Sequence, residues 1–119
     1  MEYINYILMA FLAFFIIQRV MRGKGIKQIS TAELKSELKD SAKQFIDVRT
    51  PGEFRGNHIR GFKNIPLHQL SNKAQQLSKE KEVIVICQSG MRSQKASKIL
   101  RKQGFTKVTN VKGGMSAWS

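Results

Sequence analysis

The hydrophobic pattern divides the chain into two unlike parts. From Tyr3 to Ile17 the only polar residue is Asn5, and the block from Tyr6 to Ile17 (YILMAFLAFFII) is apolar on every side. A surface helix would show a polar stripe there. Read as one helix through Val20 and Met21, the run has 19 residues. At about 1.5 Å per residue it reaches roughly 28 Å, just short of a bilayer's hydrocarbon core, with Arg19 extending its stem toward the headgroups. Residues 1–21 therefore read as a transmembrane anchor helix, with 3–21 against lipid. A cleaved signal peptide fits less well, because Glu2 precedes the run and no A-x-A pattern follows it. A buried core helix stays open, since the strictly apolar block is short. Arg19, Arg22, Lys24 and Lys27 follow the run and no basic residue precedes it. That asymmetry predicts a single-pass cell-membrane protein with its N-terminus outside and its remaining chain in the cytoplasm.

Residues 22–27 (RGKGIK) form a short basic linker, and 28–119 read as one α/β domain without internal repeats. Strand patterns at 27–29, 44–48, 63–65, 83–87 and 107–111 alternate with helical ones, which predicts a mainly parallel sheet. Val83–Ile86 are four consecutive β-formers, the mark of a central strand covered on both faces. A helix begins near Ser93, with Ala96, Ile99 and Leu100 as its apolar stripe and Gly104 as its stop. Another runs from Thr31, its N-cap, to about Leu38, with Leu34 and Leu38 facing the core. Pro51 opens a short helical turn carrying Glu53 and Phe54, and Trp118 packs a short terminal helix.

Cys87 ends the strongest strand and is followed by Gln88-Ser89-Gly90-Met91-Arg92-Ser93 and then a helix. The carboxyl end of a buried strand, ahead of a helix N-terminus, is where open α/β sheets bind ligands. A loop this short curls its N–H groups around the sulfur, the helix dipole adds partial positive charge, and Arg92 adds a full one. All three favour the thiolate, the nucleophilic form. An inert core cysteine is the alternative for the strand taken alone. The S-G-x-R-S that follows favours the reactive reading, because packing needs no anion site there.

The single cysteine excludes an internal disulfide framework and any multi-cysteine zinc or iron–sulfur site, and an unpaired thiol fits a reducing compartment. No metal or other cofactor is expected. The 21 basic and 8 acidic residues give a net charge of +13. From Lys27 onward 18 basic residues face 7 acidic ones. Nucleic-acid binding is not expected, since neither a recognised motif nor an aromatic stacking platform accompanies the charge. An anionic leaflet beside the anchor or an anionic substrate accounts for it more simply.

The order Ile46-Asp47-Val48-Arg49, Glu53-Phe54, His58-Ile59 with Gly61, Asn64-Ile65-Pro66, Cys87–Ser93 and Gly113-Gly114-Met115-Ser116-Ala117-Trp118 resembles the rhodanese-like family of single-domain sulfurtransferases over about residues 26–119. The resemblance implies a central, mainly parallel five-stranded sheet flanked by helices, here preceded by one transmembrane helix. It implies that Cys87 accepts a sulfane sulfur from thiosulfate or a persulfide and passes it to cyanide or a thiol. Gln88, Ser89, Gly90, Met91, Arg92 and Ser93 would form the binding loop. Asp47 would orient the site through an ion pair with an arginine, or else cap the turn at Thr50-Pro51, and Arg49 would meet donor charge or lie solvated. His58 belongs to a structural turn in the family and is not expected to act as a base. A non-enzymatic persulfide relay to a docked membrane protein is a second reading. A phosphatase or arsenate reductase is a third, but those relatives place five residues between Cys and Arg where this chain has four, Gln88 to Met91.

Overall fold

The computed structural model describes residues 2–23 and 25–119; Met1 and Lys24, the latter counted above among the basic flanking residues, lie outside them. Five strands form one all-parallel sheet: β1 (Ile26–Ile29), β2 (Lys43–Asp47), β3 (Lys63–Asn64), β4 (Glu82–Ile86) and β5 (Val108–Val111), in the order β1-β5-β4-β2-β3. Each expected strand is present, with ends displaced by no more than one residue. β4 is central, as its unbroken apolar run requires, and Val83 to Ile86 are fully buried.

The helices are α1 (Glu2–Gly23), α2 (Thr31–Glu37), α3 (Pro51–Gly56), α4 (Leu67–Lys73) with a 3-10 turn at Ala74–Gln76, α5 (Met91–Lys102) and α6 (Gly114–Ala117). Alternate residues of β4 face opposite layers. Val83, Val85 and Cys87 pack with Leu70, Ala74, Ala96, Leu100 and Phe105, whereas Ile84 and Ile86 pack with Ile29, Leu34, Phe62 and Met115. Leu100 anchors α5 to the sheet with no exposed surface. Leu100→Ala should cost about 2–5 kcal/mol, read by urea denaturation.

Capping fixes the helix starts. The N-cap of α2 is Ser30 rather than Thr31: its hydroxyl accepts from the Glu33 N–H and the Glu33 carboxylate accepts from the Ser30 N–H, closing a capping box. Thr50 and Glu53 build the same box on α3, with Pro51 next to the cap.

The expected transmembrane helix is not borne out. No helix among the described residues is long and apolar enough to cross a membrane. α1 extends from Glu2 to Gly23, but its strictly apolar block is bounded by Asn5 and Gln18 and runs only from Tyr6 to Ile17. Those residues cover about 18 Å of helix, well short of a core about 30 Å thick. The anchor, its lipid contacts through 3–21, the single-pass topology with the N-terminus outside, and a relay to a membrane partner all fall with it. Within the chain, the large apolar side chains of α1 from Tyr3 to Ile17 are exposed.

Candidate active site

β4 is hydrogen-bonded to β2 on one side and β5 on the other, so its carboxyl end is held rigidly. The next residue, Cys87, is completely buried. Gly90, at φ +103, turns the chain back over the sulfur and caps α5, a conformation that side chains rarely adopt. The result is a tight cradle. The Gly90 N–H donates to Cys87 Sγ at 3.0 Å, and Ser93 Oγ lies 3.3 Å from the same sulfur.

Burial is the largest influence on Cys87 and pushes its ionisation up. The Ser93 hydroxyl, followed by the N–H groups of Ser93, Gly90 and Ser89, overcomes it and holds the thiol below its ordinary value of 9.0. Ser93 Oγ also lies 3.1 Å from the Gly90 carbonyl. Its single proton therefore has two acceptors. With a neutral thiol, Cys87 donates to Ser93 and Ser93 donates to Gly90; with a thiolate, the Ser93 O–H turns to the sulfur. Ser93→Ala should slow alkylation of Cys87 near neutral pH about tenfold or more, the worth of a hydrogen bond to a charged group, and Ser93→Thr should retain the rate. Iodoacetamide inactivation rates against pH provide the measurement.

Three struts hold the cradle. The C-terminal segment is the first: Met115 N–H donates to the Cys87 carbonyl at 2.8 Å, Ser116 N–H to the Gln88 carbonyl at 2.9 Å, and Gln88 Nε2 to Ser116 Oγ at 3.2 Å. The second is the buried pair Asp47 and Arg49. Arg49 Nε donates to both Asp47 oxygens at 3.1 Å and Nη2 donates to Oδ2 at 2.9 Å, while Nη1 reaches Gln88 Oε1 at 3.4 Å. Arg49 also donates to the Asn57 carbonyl, and Asn64 Nδ2 donates to the Arg49 carbonyl. Asp47 and Arg49 thus lie on the same sheet edge as Cys87, paired with each other, and Arg49 is buried rather than solvated.

The third strut is Arg92. Its hydrogen bonds go to Glu53, Nη1 to Oε1 at 2.7 Å and Nη2 to Oε2 at 2.9 Å, and its charge reaches the sulfur through space rather than by a hydrogen bond. Arg92 lowers the Glu53 ionisation to about 2, with the Thr50 cap assisting against partial burial, and Glu53 in turn raises that of Arg92. Met91 projects outward beside the cradle. His58 is not a base poised on the sulfur; its Nδ1 bonds the Phe54 carbonyl at 2.8 Å and its ring stacks on Phe54.

Glu53, Gly114 and Ser116 were not singled out from the sequence as site residues. The T-P-G-E capping pattern and the Gly-Gly pair after β5 were the available signals, but neither states what it will touch.

Among the described residues there is no group of three or more His, Cys, Asp or Glu able to hold a metal. Residues 30–119 match the rhodanese-like domain model. The chain is 38% identical to YqhL of Bacillus subtilis (strain 168), over 92% of this chain and 85% of that protein. It is 32% identical to the thiosulfate sulfurtransferase GlpE of Shewanella oneidensis, over 77% of this chain and 91% of the relative. The crystal structure of a rhodanese-like domain protein from Staphylococcus aureus superposes with a TM-score of 0.72 at 35% identity, covering 78% of this chain and 91% of that one.

Proposed function

We propose, given that the chain belongs to the rhodanese-like domain family, that Cys87 carries sulfur between a small donor and a thiophilic acceptor. The relatives support an enzyme of general sulfurtransferase type; the assignment of donor, acceptor and residue roles is ours. One observation carries it: a completely buried thiol whose ionisation is lowered by amide and hydroxyl donors aimed at its sulfur. Packing alone gives no reason to stabilise a charge there.

In the first half-reaction the Cys87 thiolate attacks the sulfane sulfur of thiosulfate or a persulfide. A bond forms between Sγ and that sulfur, and the bond to the donor remainder breaks, its electron pair leaving with sulfite or with a thiolate. The cradle amides and Ser93 then face the anionic persulfide and stabilise it as they stabilise the thiolate. In the second half-reaction the electron pair of cyanide or a thiolate takes the outer sulfur, and the pair of the broken bond returns to Sγ. No external oxidant or reductant is needed. Asp47 and Arg49 act as positioning residues through Gln88, and Glu53 acts as one through Arg92.

This is a double displacement through a covalent intermediate. Initial rates of thiocyanate formation, with donor and cyanide both varied, should give parallel double-reciprocal lines. Intersecting lines, which require donor and cyanide to occupy the site together, would overturn the covalent carrier.

A further inference from the structure

Both arginines that reach the cradle are held in ion pairs. Arg92 is bidentate on Glu53, whose ionisation it lowers to about 2, and Arg49 is clamped on Asp47. The groups that favour the Cys87 anion most are neutral, the Ser93 hydroxyl and the N–H groups of Ser93, Gly90 and Ser89, with the paired Arg92 charge acting on the sulfur without a hydrogen bond to it. Among the described residues, the two ion pairs at the loop therefore nearly cancel in net charge, and amide and helix-terminus dipoles are left as the hydrogen-bonding groups that meet a negative ligand. Next to Gly90 in the same loop is Met91, an apolar side chain 75% exposed at the first position of α5.

From this juxtaposition we infer that the site selects an organic persulfide as its sulfur donor and discriminates against thiosulfate. The inference rests on the sulfur-carrier reading above. Attack on thiosulfate brings a dianion to a thiolate and releases sulfite, so three negative charges occupy the cradle throughout the step. Attack on a persulfide R–S–S⁻ forms the Sγ–S bond, breaks the R–S bond and releases R–S⁻ with its electron pair, so only two charges are present. Protonation of the persulfide reduces them to one, the proton travelling with the transferred sulfur. Among the described residues, the additional charge in the thiosulfate reaction meets no guanidinium outside an ion pair at the loop, and it is weakly screened in a buried site. The carbon group of a persulfide, unlike the sulfonate of thiosulfate, gains contact with the apolar Met91 side chain.

The test compares kcat/KM for cysteine persulfide and thiosulfate, with cyanide as acceptor, in the wild type, Glu53→Gln and Met91→Lys. Glu53→Gln leaves Arg92 with an uncompensated charge. Met91→Lys adds a cation at an exposed position, outside the core and the ion pairs. The wild type should favour cysteine persulfide at least about tenfold, and each variant should raise the thiosulfate value about threefold or more without raising the persulfide value. A wild type that turns over thiosulfate as well as or better than the persulfide overturns the inference. So does a persulfide preference that neither variant shifts, because that preference would then reflect donor reactivity alone. The Met91→Lys arm decides the matter if Glu53→Gln loosens α3. Failure of both donors to load Cys87 would instead sink the sulfur-carrier reading itself.

Discussion

Gly114→Ala is expected to lower kcat/KM for sulfur transfer about 100-fold or more and to destabilise the fold by about 3 kcal/mol. A Cβ at Gly114 would lie 2.1 Å from the Cys87 carbonyl oxygen and 2.9 Å from the carbonyl carbons of Cys87 and Gln88. These are backbone atoms of the cradle, and they cannot swing aside as a long side chain would. The residue also sits at φ +54, in the left-handed region that side chains rarely adopt. Relief requires α6 to move away, which breaks the Met115 and Ser116 N–H bonds to the loop carbonyls. The sulfur then loses its alignment even where the protein still folds. Gly52→Ala serves as the contrast: a Cβ there meets nothing within 4 Å, so activity should be unchanged. Steady-state kinetics and urea denaturation of the two variants read the difference.

Cys87→Ser should abolish transfer, with a loss of about 10⁴-fold or more, because a hydroxyl at this position neither ionises near neutral pH nor forms a persulfide. It also exposes a pH signature. Folding lowers the Cys87 ionisation from its ordinary value of 9.0. Between the folded value and 9.0 the unfolded chain binds more protons than the native one, so stability rises with pH. The thiolate's contribution is fully present above 9.0 and is lost as pH falls through the folded value. The stability of the wild type relative to Cys87→Ser should therefore grow as pH rises toward 9.0 and then level off, as denaturation at a series of pH values would record.

Much of this architecture can be read from the residues. The β-branched run at Val83–Ile86 identified the central strand, and the position of Cys87 at its end pointed to the loop that curls around its sulfur. Local signals did less well where the partner is distant. Arg92 is adjacent to the loop in sequence, but its hydrogen bonds go to a residue in α3, and only folding brings Glu53 to it. Gly114 looks like an ordinary turn glycine until β5 delivers it to the Cys87 carbonyl. α4 was not anticipated: Pro66 caps it without a side-chain hydrogen bond, and Leu70 with Ala74 makes only a brief buried pair. The Ser30–Glu33 box was legible but displaced by one residue from the expected cap. The apolar run at Tyr6–Ile17 was the misleading signal. Its hydrophobicity is real, but span depends on length, and an interval closed by Asn5 and Gln18 is too short.

Intact-mass measurement of the full chain after incubation with cysteine persulfide tests the central claim most directly. The wild type should gain about 32 Da, one sulfur atom, located on the Cys87 peptide, and should return to its starting mass on addition of cyanide with release of thiocyanate. An unchanged mass, or an adduct that persists in Cys87→Ser, would contradict the assignment of Cys87 as the sulfur carrier.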